Sequence, residues 1–184
     1  VIDRTHTNSL KYDFAVQRGK PKDVLPLWVA DMDFQVSSYI QEALSGNVAH
    51  GIFGYSEAEG SYFEAVAGWM SRHYGWNVEE TWLVKTPGIV FALAQAVRAF
   101  TEPGDAVLLQ QPVYYPFSQV IRDNGRKIVD NTLVQGEDGR YRIDFTDFEE
   151  KIRSAHVKLF FLCNPHNPVG RVWTKEELLR LGDI

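Results

Sequence analysis

Three short segments hold the residues best suited to chemistry. Thr86-Pro87-Gly88-Ile89-Val90 leads from an apolar stretch into a helix-forming run. Gly88 lets the backbone come close to a ligand, and the unpaired N–H groups of a helix start, with the helix dipole, favour a phosphate. The same residues also make an ordinary strand-to-helix turn. They are not a Walker loop, since no Gly-Lys-Ser/Thr follows, and not a dinucleotide fingerprint, since one glycine stands alone. Gln111-Pro112-Val113-Tyr114-Tyr115-Pro116-Phe117 sets two adjacent tyrosines between prolines. That is a stiff platform on which a flat heteroaromatic ring could stack, or simply aromatic core packing. Cys163-Asn164-Pro165-His166-Asn167-Pro168-Val169-Gly170 carries two Asn-Pro pairs. The prolines stiffen the loop, and the Asn amides are suited to a ligand oxygen. Cys163 and His166 lack a second pair at metal-ligand spacing, and Cys163 reads as a buried thiol at the end of an apolar strand. Asp31 and Asp33 alternate on an extended stretch and so share a side. They suit a metal ion or, as plain structure, capping and solvated carboxylates.

These loops need elements to hold them. Residues 1–36 read as an extended arm with one short strand in Leu27–Phe34. Ser38 with Gln41 boxes a helix over 38–46, and Ser61 with Glu64 boxes another. In the second, Phe63, Val66, Ala67, Met70 and Tyr74 recur at helical spacing and predict a buried face. The order then alternates: strand Trp82–Lys85, a helix Ile89–Phe100 apolar nearly all round and so buried, strand Ala106–Leu109, helix Tyr115–Asn124 and strand Lys127–Asn131. A hairpin turn follows at Gly136–Gly139, then a helix boxed by Thr146 and Glu149, strand Lys158–Leu162, and a helix boxed by Thr174 and Glu177. Short apolar strands alternating with helices predict an α/β fold, a mostly parallel sheet with helices on both faces. In such sheets ligands sit where strands lead into helices, which is where the three loops fall.

Composition narrows the classes. The chain has 184 residues, 45% apolar and 23% charged, with 13% aromatic. That excludes a disordered tail, a collagen-like rod and a disulfide miniprotein. The net charge is -5 and there is no basic run, so the footprint of a nucleic-acid binder is missing. No apolar run is long enough for a membrane span, since Gln95 and Arg98 interrupt the best candidate. A single cysteine fits a reduced, cytoplasmic setting. Val1 at the start and a helix running out at Ile184 suggest a piece of a longer protein.

The three loops together carry a resemblance. Asn164-Pro165-His166-Asn167-Pro168-Val169-Gly170 resembles the Asn-Pro-x-Asn-Pro-Thr-Gly motif of the fold-type I pyridoxal-phosphate enzymes, the aspartate aminotransferase superfamily, with Val169 in place of Thr. Pro112-Val113-Tyr114 resembles that family's Pro-x-aromatic loop, and Thr86–Val90 lies where the family has its phosphate loop. Trp28-Val29-Ala30-Asp31-Met32-Asp33-Phe34, Phe53-Gly54-Tyr55 and the run on to Arg171-Val172-Trp173 are similar to the MalY/PatB-type C–S lyase branch. The resemblance implies an incomplete PLP-dependent transferase-like large domain over 51–184. It makes residues 1–50 an N-terminal arm and a helix of the small-domain, substrate-side region.

It also implies the site. Gly88 and Ile89 would give backbone N–H groups to the phosphate of pyridoxal 5'-phosphate (PLP), Tyr114 would stack on its ring, and Asn167 would bond the ring's 3' oxygen. Tyr55 would reach the phosphate of the neighbouring subunit in a homodimer, and Val29 and Ala30 would lie at the substrate end. The family's Schiff-base lysine, ring-nitrogen aspartate and carboxylate-binding arginine come later than the Asn-Pro loop, so the resemblance places no catalytic residue in this chain and puts the lysine beyond Ile184. The implied activity is cleavage of cystathionine or a related cysteine conjugate to a thiol, pyruvate and ammonia. The alternatives are a class I/II aminotransferase and a non-catalytic domain that keeps the fold.

Overall fold

A computed structural model describes residues 2–184. The chain packs as two units that part between Ala65 and Val66.

In the first unit, the arm is organised by its own carboxylates. Asp13 accepts from the N–H groups of His6, Thr7 and Ser9 at 2.8, 3.1 and 2.9 Å. Lys11 is buried, at 5% exposure, and its Nζ lies 3.0 Å from the Asp31 carbonyl and 3.1–3.2 Å from the Asp33 carboxylate. The Tyr12 hydroxyl donates to Asp33 Oδ1 at 2.5 Å, and Arg4 pairs with Asp31 at 2.5 Å. The short strand expected in Leu27–Phe34 is not formed. The segment runs through bends instead, its turns closed locally by Asp31 N–H on the Val29 carbonyl at 2.7 Å. Helix α1 (Ser38–His50) runs four residues past its expected end and stops at Gly51, whose φ of 73° is the left-handed backbone of a helix C-terminus. The Ser38–Gln41 box does not form: Ser37 is the N-cap, and Gln41 Nε2 donates instead to the Val36 carbonyl at 2.8 Å.

Acid should loosen this arm. The Tyr12 hydroxyl and the Lys11 ammonium hold Asp33 below the usual carboxylate range, and the His6 N–H leads the groups that do so for Asp13. A depressed carboxylate stabilises the fold above its unfolded pKa, and that contribution is lost as pH falls through the folded value. Protection factors of the His6, Thr7 and Ser9 amides should therefore hold above about pH 4 and fall below it. Unchanged protection down to strongly acid pH would contradict the assignment.

Helix α2 (Gly60–Tyr74) includes Ser61 within its first turn, so the Ser61–Glu64 box is not its start. Phe63, Val66, Ala67 and Met70 are half-buried while Tyr74 is exposed; no residue of the helix is fully buried.

The second unit holds the sheet. Strands β1 (Ala106–Leu109), β2 (Lys127–Asp130) and β5 (Leu159–Phe160) run parallel in the order β2-β1-β5. Strand β1 is central, and its Val107, Leu108 and Leu109 are completely buried, as the apolar run requires. Successive strand residues face opposite sides. Val107 and Leu109 accordingly pack with Phe117, Val120 and Ile121 of α4 (Pro116–Asp123) and Val97 of α3 (Ile89–Phe100), while Phe161 joins them from beyond β5. On β5, Phe160 meets the ring of Phe148, on α5 (Phe145–Ser154), edge-on at 5.1 Å. A hairpin of β3 (Val134–Gln135) and β4 (Tyr141–Arg142) turns at Gly136–Gly139, as its composition predicts. Leu133, Ile143 and Trp173 form a second core with Leu178 and Leu181 of α6 (Lys175–Asp183), and the Thr174–Glu177 capping box is complete.

Three expectations are corrected in this unit. Trp82–Lys85 is not a strand: Glu80–Trp82 is a single 3₁₀ turn, and the residues after it pair with no strand among the described residues. Helix α5 starts one residue before Thr146 because the Asp144 carboxylate, not a Thr146 hydroxyl, caps it by accepting from Asp147 N–H at 3.0 Å. In α3 only Val97 is fully buried; Ile89, Phe91 and Phe100 are exposed, because the described helices cover one side of it only.

Candidate active site

The three candidate loops all belong to the second unit. Gly88 precedes α3 in an extended conformation, φ 161° and ψ 166°, and a Cβ placed on it would meet nothing within 4 Å. The first N–H groups of a helix have no partner inside it. Those of Ile89 and Val90 therefore border open space at the positive end of the α3 dipole. Val90 lines a cleft of about 330 Å³ with Tyr114, Tyr115, Pro116 and Gln119. The second residue of α3 thus borders the tyrosine platform, with Val120 and Asp123 of α4 completing the cleft.

The platform is joined to the Asn-Pro loop. Tyr114 N–H donates to the Asn167 carbonyl at 2.8 Å. The Tyr114 ring is partly exposed and lies 5.3 Å from that of Tyr115, tilted by 60°. Gln111-Pro112, Asn164-Pro165 and Asn167-Pro168 are all cis. The two asparagines do different work. Asn164 Oδ1 accepts from Trp173 N–H at 3.2 Å, so its amide oxygen is engaged within the chain. The Asn167 side chain is exposed and makes no hydrogen bond among the described residues, which leaves its amide for a ligand.

His166 is the residue that sequence reasoning missed. It is almost fully buried, and its Nε2 lies 3.0 Å from the Pro112 carbonyl. A carbonyl only accepts, so Nε2 carries the proton; Nδ1 is buried without a hydrogen-bond partner. Burial pushes the imidazole below its usual pKa, outweighing nearby backbone carbonyls, so the ring is neutral at pH 7. His166 thereby ties the residue two before Tyr114 to the residue before Asn167. Trp173 supports it edge-on at 5.4 Å and donates its indole N–H to the Cys163 carbonyl at 3.0 Å. A lone histidine between prolines carries no signal for burial. Cys163 itself is half-buried rather than buried, because it lies past the end of β5 at the sheet margin.

The other candidate residues belong to the first unit. Tyr55 is completely exposed, at 111%. Val29 and Ala30 are exposed, and Val29 has φ 64°, a left-handed conformation uncommon for a β-branched residue. Asp31 and Asp33 do not form a metal pair: Arg4, Lys11 and Tyr12 occupy their carboxylates. Among the described residues no three His, Cys, Asp or Glu side chains could hold a metal ion, and no helix is long and apolar enough to cross a membrane.

A parallel sheet with helices packed on it, whose loops beyond β1 and β5 join Tyr114 to Asn167, defines the class as an α/β domain. Residues 22–184 match the aminotransferase class I and II family, and the chain belongs to it. It is 48% identical over 99% of its length to cystathionine beta-lyase PatB of Bacillus subtilis, covering 47% of that protein. It is 31% identical over its whole length to protein MalY of Escherichia coli, again covering 47%. Among solved structures, cystalysin from Treponema denticola, described as containing a pyridoxal 5'-phosphate cofactor, superposes with a TM-score of 0.90 at 38% identity over 99% of this chain and 46% of that one. The chain spans about half the length of the curated relatives it matches.

Proposed function

We propose that this chain is the cofactor platform of a cytoplasmic PLP-dependent C–S β-lyase, which cleaves cystathionine or related cysteine conjugates to a thiol, pyruvate and ammonia. The observation that carries the reading is the hydrogen bond that joins Tyr114 to Asn167, beside a cleft that Val90 of α3 also lines. The residues present fit the group. Open N–H groups after Gly88 suit a phosphate, the partly exposed Tyr114 ring suits a flat heteroaromatic face, and the unspent Asn167 amide suits a ring oxygen. When bound, PLP supplies an electron sink that stabilises negative charge at the substrate α-carbon.

The chain's own residues hold and orient. Ile89 N–H, at the helix start that Gly88 leaves open, donates to the phosphate. Tyr114 fixes the ring plane, and Asn167 donates to the 3' oxygen and favours its anionic form. His166, neutral and buried, keeps the Tyr114 and Asn167 loops in register. Val29 and Ala30 border the amino-acid substrate, and Tyr55 gives its hydroxyl to the phosphate of a second copy. Residues 1–50 then serve the substrate side and 51–184 the cofactor side. The lysine that anchors PLP is assigned to a segment after Ile184.

The isolated chain should therefore bind no PLP covalently. Joined to the segment that follows it in its relatives, it should release pyruvate, ammonia and thiol from cystathionine. A borohydride-stable PLP adduct on a lysine of this chain would remove the lysine assignment. Amino transfer to a 2-oxo acid without pyruvate would replace the lyase reading with an aminotransferase, and neither reaction would leave a non-catalytic domain.

A further inference from the structure

We infer that Lys11 is a positioning residue for the loop Val29–Asp33, and through it for binding of the amino-acid substrate. The inference rests on the proposed reading that Val29 and Ala30 border that substrate. Lys11 lies far from the loop in sequence, yet its ammonium is buried and spends all of its donor capacity there. An ammonium has three N–H donors. Those of Lys11 face three oxygens: the Asp31 carbonyl at 3.0 Å and the two Asp33 carboxylate oxygens at 3.2 and 3.1 Å. Lys11 therefore has no donor left for a ligand, and its role is to hold.

What it holds is an unusual backbone. Val29 sits at φ 64°, and Asp31 N–H closes on the Val29 carbonyl at 2.7 Å. A β-branched residue in that region persists only where its surroundings over-determine it. Asp31 supplies the over-determination, gripped at its carbonyl by Lys11 and at its carboxylate by Arg4. Asp33 is gripped by Lys11 and Tyr12 together, and its carbonyl accepts from Ile2 N–H at 3.1 Å. Without the ammonium, the Asp31 carbonyl and one side of Asp33 lose their partner inside the arm, and Val29 is free to relax to ordinary extended backbone. Ala30 would then move off the substrate.

The test uses the complete protein with PLP bound. Lys11→Met should raise KM for the thioether amino acid by roughly ten- to a hundredfold, the scale of a small displacement of a positioning group. The kcat value should change much less, and PLP affinity, read by fluorescence titration, should be unchanged. Amide exchange at Ala30 and Asp31 should speed up in Lys11→Met whether or not the enzyme turns over. Lys11→Arg should recover part of the KM. Arg4→Gln, which cuts only the partly exposed tie to Asp31, should shift KM the same way by less, and it stands in if Lys11→Met fails to fold. Wild-type KM in Lys11→Met, or in Arg4→Gln where only that variant folds, overturns the inference. So does loss of PLP together with substrate binding, which would make Lys11 a general structural residue. If the wild-type protein turns over no amino acid although exchange at Ala30 and Asp31 still depends on Lys11, the functional reading fails while the clamp itself stands.

Discussion

Replacing Trp173 by alanine should lower the stability of the unit Val66–Ile184 by about 3–5 kcal/mol, the usual cost of removing a buried tryptophan. Three roles converge on this side chain. It fills the second core with Leu133, Ile143 and Leu178, it props His166, and its indole N–H occupies the Cys163 carbonyl. Arg171, which is paired to Glu177, lies over its face at 4.8 Å. Urea unfolding gives the measurement. Trp173→Phe separates the roles: it keeps most of the packing and loses the hydrogen bond, a change of about 1 kcal/mol. A loss below 1 kcal/mol for the alanine variant would mean that the loop is held by its prolines and His166 without the indole.

In the complete protein, Tyr55→Phe should weaken PLP retention by about one to two orders of magnitude. A hydrogen bond to a charged group is worth about 1.5–3 kcal/mol, and each 1.4 kcal/mol is tenfold. The motivation is exposure: nothing among the described residues covers Tyr55, although a tyrosine in a loop flanked by Gly51 and Gly54 could have folded onto a neighbour such as Phe63. On the proposed reading, a second copy covers it. The readouts are PLP affinity by titration and the assembly state by ultracentrifugation. A monomeric protein, or unchanged affinity in the variant, would remove the role.

What was legible in the sequence depended on how local each cause is. Strand β1 and helix α4 follow from apolar runs between turn residues, and the α6 box follows from Thr174 and Glu177 alone. The three loops stand out because Pro, Gly and Asn restrict or free the backbone wherever they occur. Trp82–Lys85 misled because its alternation suits a strand, but a strand exists only with a partner ladder. The burial of α3 misled for a related reason: an apolar circumference records what a helix is able to bury, not what the described residues place around it. His166 and Lys11 were invisible because their roles depend on partners far along the chain, Pro112 in one case and Asp31 and Asp33 in the other. Asp144 displaced Thr146 as a cap by a choice between two good candidates that only the backbone decides.

The strand order β2-β1-β5 has a consequence for how the chain behaves while it is being synthesised. With β1 in the middle, β2 and β5 are outer strands among the described residues, each with a rim outside the ladder, where on β2 the Asp130 carbonyl is already taken by the Lys151 ammonium. A free rim recruits any extended peptide nearby, including one from another nascent copy. Both rims are brief, four residues on β2 and two on β5, and an exposed lysine stands at the head of each: Lys127 opens β2 and Lys158 directly precedes β5. Short length and a charge at the threshold are the means by which sheets turn away unwanted neighbours. Crowded polysomes, where identical chains emerge side by side, are where those two lysines would matter most.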